Sequence, residues 1–253
     1  MQPRRQKRSR AAARTQRPWV PVALIGGVSV LVVGLIILIS NIGGNTSGNT
    51  GTTPVATPGP THAAPQLGAT IGSDTAPVTM VEYYRFNCPH CRDFATKVEP
   101  QLTTDYIDAG KLRIEFRPLV AESDGDVFVA SEAAACAGDQ NHYWEYYEVV
   151  FANFSSGFSK SNLKQYATEL GLDTNVFNKC LDSDQHKQDM LNNVNEAISA
   201  GLSGVPQFYI GKTSDMKNLS VPYPGQTQLT GVLTTNPYDP FKKAVDDVLA
   251  KVQ

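Results

Sequence analysis

The residues best suited to chemistry are two cysteines separated by two residues, in the run Cys88-Pro89-His90-Cys91. An apolar run rich in aromatic residues ends just before them, and this pattern predicts a buried strand over residues 78–86. Pro89 suits the first position of a helix because its φ is already fixed near the helical value. Cys88 then lies at a helix N-terminus, where backbone N–H groups and the helix dipole favour a thiolate. The motif therefore predicts thiol–disulfide chemistry, with Cys88 as the nucleophile and Cys91 one turn inside the helix.

Two other interpretations of this cysteine pair are a structural disulfide and half of a zinc site. Cysteines at this spacing suit zinc, but a second pair of ligands at a similar spacing is missing from the sequence. We therefore expect redox catalysis without a metal or a cofactor. His90 lies between the cysteines, and a donor imidazole beside a thiolate stabilises the anion. The alternative for His90 is an exposed loop residue without consequence.

The first part of the chain has the composition of a membrane anchor. The sequence has 253 residues, 4 cysteines and a formal net charge of −2, but residues 1–17 hold seven basic residues and no acidic one. Residues 18–42 contain an apolar run long enough for a bilayer, which needs about 20 residues. We expect a basic cytoplasmic tail at 1–17 and one transmembrane signal anchor at 18–42. A cleaved signal peptide is the alternative, although its apolar core is usually only about 7–15 residues long.

The rest of the chain divides into a tether and one folded domain. Residues 43–66 are rich in Gly, Thr, Asn, Pro and Ala, which predicts a flexible linker. Residues 67–253 predict a single domain, opening with a polar lead-in at 68–77. Either form of the N-terminal segment exports this domain to a compartment where disulfides persist.

Hydrophobic periodicity predicts the order strand–helix–strand, a helical block at about 121–200, then strand–strand–helix. The fold class is therefore α/β, a thioredoxin-like frame with an inserted helical domain, preceded by one transmembrane helix. The predicted strands are residues 78–86, 111–119, 207–211 and 227–233. The predicted helices are residues 89–107, bent or interrupted near Pro100, then 126–138, 142–154, 161–170, 173–181, 184–200 and 238–252.

The motif Cys88-Pro89-His90-Cys91, together with Gly204-Val205-Pro206, resembles the DsbA family of exported thiol:disulfide oxidoreductases. The resemblance covers residues 67–253, and the basic tail and anchor are closer to membrane-anchored bacterial members. It implies a cis peptide bond between Val205 and Pro206, in a loop that faces the cysteines and offers its backbone to an extended substrate. The alternative is an ordinary trans proline that opens a strand.

Glu82 lies six residues before Cys88, in the middle of the predicted strand. The resemblance implies a buried acid at this position, beneath the active site. Such a carboxyl with a raised pKa exchanges a proton with Cys91 during turnover. The alternative is a side chain turned toward solvent, or paired with Arg85 or Arg113.

Cys136 and Cys180 are the remaining cysteines, and both lie in the helical block. Export and the even number of cysteines predict a structural disulfide between them. Two buried free thiols, or a second redox pair that relays electrons, are the alternatives.

These observations predict a single-pass protein of the cell membrane, with a cytoplasmic N-terminus and an extracytoplasmic catalytic domain. It would introduce disulfides into unfolded or reduced exported proteins. The family implies a quinone-linked membrane reoxidant of the DsbB or VKOR kind. We expect a monomer that binds no nucleic acid. The competing functions are a disulfide reductase or isomerase on the same fold, and a non-catalytic anchored binding module.

Overall fold

The computed structural model describes residues 62–202, 204–216, 227–230 and 237–252. The predicted basic tail, the transmembrane segment at 18–42 and most of the linker at 43–66 lie outside these residues. Within the described ranges, every helix falls short of the length and apolar content that crossing a bilayer demands.

A six-stranded mixed sheet forms the centre of the domain, in the order β1-β2-β4-β3-β5-β6. The strands are β1 (Gln66–Leu67), β2 (Thr70–Ile71), β3 (Val78–Tyr84), β4 (Leu112–Pro118), β5 (Gln207–Lys212) and β6 (Thr227–Thr230). The central strand β3 runs parallel to β4 and antiparallel to β5. All seven residues of β3 are buried, because elements cover both faces of the sheet at this strand.

Helices surround the sheet, and most of them lie between β4 and β5. We number them α1 (Pro89–Lys97), α2 (Glu99–Leu102), α3 (Asp126–Gly138), α4 (Tyr143–Ala152), α5 (Lys160–Glu169), α6 (Thr174–Asp182), α7 (Lys187–Ser199) and α8 (Tyr238–Leu249). A π-helical turn, Thr103–Ile107, follows α2, and single 3₁₀ turns occur at Glu122–Asp124, Phe154–Ser156 and Thr213–Asp215. The thioredoxin-like α/β architecture expected from the sequence is therefore present.

The predicted helix at 89–107 is interrupted near Pro100, one of the two outcomes that the sequence indicates. It ends at Lys97, and Val98 separates it from α2 with a φ of −106°. Pro100 explains the break, because its nitrogen has no hydrogen to donate and its ring clashes with the carbonyl four residues earlier. The break places Glu99 at the start of a new helix, with its side chain fully buried.

Two short strands lie at the end of the predicted linker and in the polar lead-in at 68–77. Strands β1 and β2 pair as an antiparallel hairpin, and β2 extends the sheet along β4. The His62 ring stacks on the indole of Trp144 in α4, with ring centroids 3.3 Å apart. The chain is therefore already packed on the domain from residue 62.

Aromatic side chains of the helical insertion fill much of the core. Tyr143, Trp144 and Tyr147 of α4 are all buried, and the rings of Tyr143 and Tyr147 lie 5.6 and 4.6 Å from that of Phe116 in β4. The insertion is also cross-linked, because a disulfide joins Cys136 of α3 to Cys180 of α6. The Cα atoms of these two residues are 5.9 Å apart.

Candidate active site

The end of β3 and the start of α1 present the two free cysteines differently. Cys88 is the N-cap residue of α1, with Pro89 in the first helical position, and its own N–H donates to the Arg85 carbonyl at 3.1 Å. The Cys91 N–H donates to the Cys88 sulfur at 3.3 Å. Cys88 is partly exposed, whereas Cys91 is fully buried in the core. Only Cys88 is therefore open to attack by a large reactant.

The surroundings of Cys88 stabilise its thiolate and lower its pKa from 9.0 to about 6. The largest cause is a hydrogen bond from the Cys91 thiol, and partial burial of Cys88 opposes it. Backbone N–H groups of Cys91 and His90 contribute further, as expected at a helix N-terminus, and the charge of His90 adds to them. His90 itself is exposed.

Cys91 favours the protonated thiol, whereas Cys88 favours the thiolate. Burial raises its pKa strongly, and the hydrogen bond to Cys88 and the charge of Glu82 raise it further. At neutral pH the pair therefore holds one thiolate, on the exposed sulfur, and one proton, on the buried sulfur. This arrangement suits thiol–disulfide exchange, in which the thiolate is the nucleophile.

We expect alkylation of the fully reduced protein by iodoacetamide to show its half-maximal rate near pH 6. Because the Cys88 thiolate is the reacting form, the rate rises with pH through this value and then levels off. Mass spectrometry after short exposures locates the label and gives the rate. A Cys88→Ser variant is the control, and it should stay unlabelled in this range because Cys91 is buried and protonated. A midpoint near 9.0, the ordinary thiol value, would contradict the stabilisation described here.

A loop from the far end of the domain lies beside Cys88. The peptide bond between Val205 and Pro206 is cis, and β5 begins at the next residue, Gln207. The Cys88 sulfur lies 3.7 Å from the Val205 carbonyl oxygen. The fold thus brings the two predicted motifs together, because β5 pairs with β3, the strand that leads into Cys88.

Glu82 lies in the centre of the sheet and is fully buried. The Tyr147 hydroxyl donates to its Oε2 atom at 2.9 Å. Burial raises the pKa of Glu82 well above its usual range; the Tyr147 hydrogen bond opposes this, and the charge of Cys88 adds to it. Burial therefore favours the protonated form of Glu82, and the carboxyl is close enough to Cys91 for its charge to raise the pKa of that thiol.

Glu82 is neither turned toward solvent nor paired with Arg85 or Arg113. Arg85 forms an ion pair with Asp124, and Arg113 donates from Nε to the Thr79 hydroxyl at 2.9 Å. Because both arginines are engaged elsewhere, Glu82 has neither as its counter-ion.

Comparison with known proteins agrees with this geometry. A family model described as "Thioredoxin" matches residues 66–221. A "Probable disulfide bond formation protein D" of Bacillus cereus is 30% identical over 194 residues, which cover 72% of this chain and 78% of that protein. The chain belongs to the DsbA-like thiol:disulfide oxidoreductases. It is therefore an enzyme that exchanges thiols and disulfides.

Solved structures of DsbA-like proteins share the fold of this one. Wolbachia pipientis α-DsbA1 superposes with a TM-score of 0.58 at 23% identity, over 73% of this chain and 94% of its own. BdbD from Bacillus subtilis gives 0.59 at 17% identity, over 75% of this chain and 99% of its own. At these identities the similarity supports the thioredoxin-like fold alone.

The cysteines of the insertion take no part in the contacts described around Cys88 in this DsbA-like enzyme. The sulfurs of Cys136 and Cys180 lie within 4.8 Å of a ring nitrogen of His186, a grouping that would suit a metal if the thiols were free. Both sulfurs are bonded to each other, so neither is available as a thiolate ligand.

Sequence reasoning missed the partner of Glu82 in this DsbA-like site. Tyr147 belongs to an aromatic helix, which the sequence presents as core packing, and it lies 65 residues from Glu82. The sequence contains no signal linking the two, because their contact depends on how the insertion packs on the sheet. The same packing buries a second acid, Glu99, which no motif marks.

Proposed function

We propose that this enzyme is a dithiol oxidase that donates the Cys88–Cys91 disulfide to exported proteins. The observation that supports this most directly is the asymmetry of the pair, with a lowered pKa at Cys88 and a raised pKa at Cys91. The thiolate exists only in the reduced enzyme, so whatever stabilises it favours reduction of the enzyme and oxidation of the substrate.

The reaction begins when a substrate thiolate attacks the Cys88 sulfur of the oxidised enzyme. The Cys88–Cys91 bond breaks, a mixed disulfide forms, and the electron pair leaves with Cys91. Because the pKa of Cys91 is raised, it is a poor leaving group unless it receives a proton. Glu82, whose raised pKa favours the protonated carboxyl, is the acid coupled to it. A second substrate thiolate then attacks the substrate sulfur of the mixed disulfide and releases Cys88 as a thiolate. The substrate is oxidised by two electrons and the enzyme is reduced by two.

Val205 and Pro206 form the proposed substrate-binding edge. The Val205 carbonyl is next to the Cys88 sulfur, so an extended substrate held by this loop would have its cysteine at the reacting atom. Backbone hydrogen bonding of this kind tolerates many side chains, which suits an enzyme that acts on varied proteins.

The proposed location is the outer face of the cell membrane, with one span at 18–42 and the N-terminus in the cytoplasm. The support for this is the order of the first 42 residues, in which a basic segment is followed by an uncharged, apolar one. Family membership implies substrate proteins and a reoxidising partner. We propose reduced exported proteins as the substrates and a quinone-linked membrane protein of the DsbB or VKOR kind as the reoxidant. The working unit is a monomer that binds no nucleic acid.

The proposed function is tested by the redox equilibrium of the full-length protein with mixtures of reduced and oxidised glutathione. We expect a potential well above that of the glutathione pair, because the Cys88 thiolate stabilises the reduced enzyme. Quenched samples are labelled and analysed by mass spectrometry, with Cys91→Ser as the background that cannot form the internal disulfide. A potential as low as that of thioredoxin would contradict the oxidase and favour a reductase or isomerase.

A further inference from the structure

Buried polar atoms without a hydrogen-bond partner are concentrated beside the active site. Among the described residues seven such side-chain atoms occur, and four of them belong to His62, Glu82, Glu99 and Glu148. Buried polar groups in folded proteins are almost always paired. His62 and Glu148 contact each other as an ion pair, whereas one carboxyl oxygen each of Glu82 and Glu99 has no partner among the described residues, which indicates a functional need at these two acids. We call these four residues the acid cluster.

One face of α4 carries Glu148 and contacts the other three members of the acid cluster. Tyr147 donates to Glu82, as described above, and the Trp144 indole N–H donates to Glu99 Oε1 at 2.6 Å. Glu148 is the third residue on this face, because positions three and four residues apart in a helix are neighbours. Its Oε2 atom lies 3.0 Å from His62 Nε2, although the two atoms are not aligned for a hydrogen bond.

The cluster runs from the catalytic pair to the surface. Glu82 and Glu99 are fully buried, whereas the side chains of His62 and Glu148 are 11% and 19% exposed. Glu99 is electrostatically coupled to both ends, since the charges of Glu148 and Glu82 each raise its pKa, after burial as the main cause. Trp144 and Thr103 donate hydrogen bonds to its Oε1 atom and oppose this rise. Burial thus favours the protonated form of Glu99 as well, and this acid is electrostatically coupled both to buried Glu82 and to the partly exposed Glu148.

A buried acid that gives up its proton is left as a carboxylate until a proton returns, either from Cys91 on reoxidation or earlier from solvent. In the proposed mechanism Glu82 protonates Cys91 once per turnover, and the resulting carboxylate would be isolated in the core. Solvent does not reach Glu82, because its side chain has no exposed surface.

We propose that Glu99 relays protons between Glu82 and the His62–Glu148 pair at the surface. This inference rests on the proposed function, since that reaction makes Cys91 gain a proton on reduction. The proton enters at His62 and Glu148, passes to Glu99 and then to Glu82, and replaces the one given to Cys91. Reoxidation sends one proton back along the same residues, so the cycle leaves every acid in its starting state.

The relay predicts a kinetic difference between two isosteric variants. Glu82→Gln removes the group that protonates Cys91, so it slows the first exchange with a reduced peptide as well as later turnovers. Glu99→Gln leaves Glu82 protonated at the start, so the first exchange keeps its rate within about twofold. Repeated turnover then slows by roughly tenfold, less than the roughly 10²–10⁴-fold supplied by an acid that acts directly.

The experiment compares single and multiple turnovers of the full-length protein. The oxidised enzyme is mixed with a two-cysteine peptide, first in equal amounts and then with excess peptide and a chemical oxidant. Glu99→Asp should recover most of the lost turnover, because it keeps an ionisable carboxyl. Glu145→Gln is the matched control, since this carboxyl of α4 is also buried but is fully paired with Gln66 at 2.7 and 2.8 Å. We expect it to turn over at the wild-type rate.

Infrared difference spectra between the oxidised and reduced enzyme provide a second readout, in the C=O stretching region of protonated carboxyls. The relay predicts a redox-dependent band that disappears in Glu99→Gln and persists in Glu145→Gln. Wild-type turnover in Glu99→Gln, or an equal slowing of the first exchange and of turnover that Glu99→Asp does not rescue, would overturn the relay. If the wild-type enzyme fails to oxidise the peptide at all, the proposed function fails, and this outcome is distinct because no variant is involved.

Discussion

Replacing Cys88 with serine is expected to abolish the oxidation of a two-cysteine peptide. The hydroxyl that replaces the thiol cannot form the Cys88–Cys91 disulfide, so the enzyme has no bond to donate. Loss of a catalytic nucleophile costs about 10⁶-fold in the best-measured enzymes, and we expect the rate to fall to that of the uncatalysed reaction. Chromatography of the peptide after timed quenching measures the rate.

We expect this variant to fold as the wild-type protein does. Cys88 is partly exposed and lies at the end of α1, and serine is a good N-cap residue. Unchanged circular dichroism and an unchanged unfolding midpoint are the controls. Peptide oxidation by Cys88→Ser at more than a small fraction of the wild-type rate would show that another sulfur performs the chemistry.

The part of the site that is local in sequence was predictable. The apolar run, the proline and the two cysteines lie within 14 residues, and they specify strand, turn and helix through short-range preferences. Pairing of β5 with β3 then brings Val205 to Cys88 across 117 residues. That contact followed only from the resemblance to a family, because periodicity alone does not determine which strands are neighbours.

The buried position of Glu99 and the placement of β1 and β2 depend on tertiary packing, which the local residue pattern does not predict. The sequence presents Glu99 as one more polar residue of a helix, and the break that Pro100 imposes turns it into the core instead. Strands β1 and β2 contain two residues each, too few for alternation to be recognised. The edge of β4 pairs with β2, and β2 in turn pairs with β1, so the position of both strands depends on a segment about 40 residues further along the chain.

The disulfide between Cys136 and Cys180 is the second feature whose removal should have a large effect. It closes a loop of 44 residues between α3 and α6, so it restricts the unfolded chain while leaving the folded one intact. A loop of this length corresponds to about 4 kcal/mol of stabilisation in the chain-entropy treatment. We expect the double variant Cys136→Ala, Cys180→Ala to lose this amount of unfolding free energy, measured by urea denaturation of the full-length protein.

The matched control is the double variant Cys88→Ala, Cys91→Ala, which removes two cysteines that are free thiols in this structure. It lacks any comparable cross-link, so its loss should be smaller and limited to the packing of the buried Cys91 side chain. Equal losses in both double variants would mean that the Cys136–Cys180 bond adds no stability beyond ordinary core packing.

Activity of the same variant separates a structural disulfide from a second redox pair. Cys136 and Cys180 are 1% and 3% exposed, so a substrate thiolate cannot reach either sulfur while the insertion is folded. At a temperature where the Cys136→Ala, Cys180→Ala variant remains folded, we therefore expect peptide oxidation at the wild-type rate. A large drop in turnover under these conditions, with Cys88 still alkylated near pH 6, would instead indicate that electrons pass through this pair.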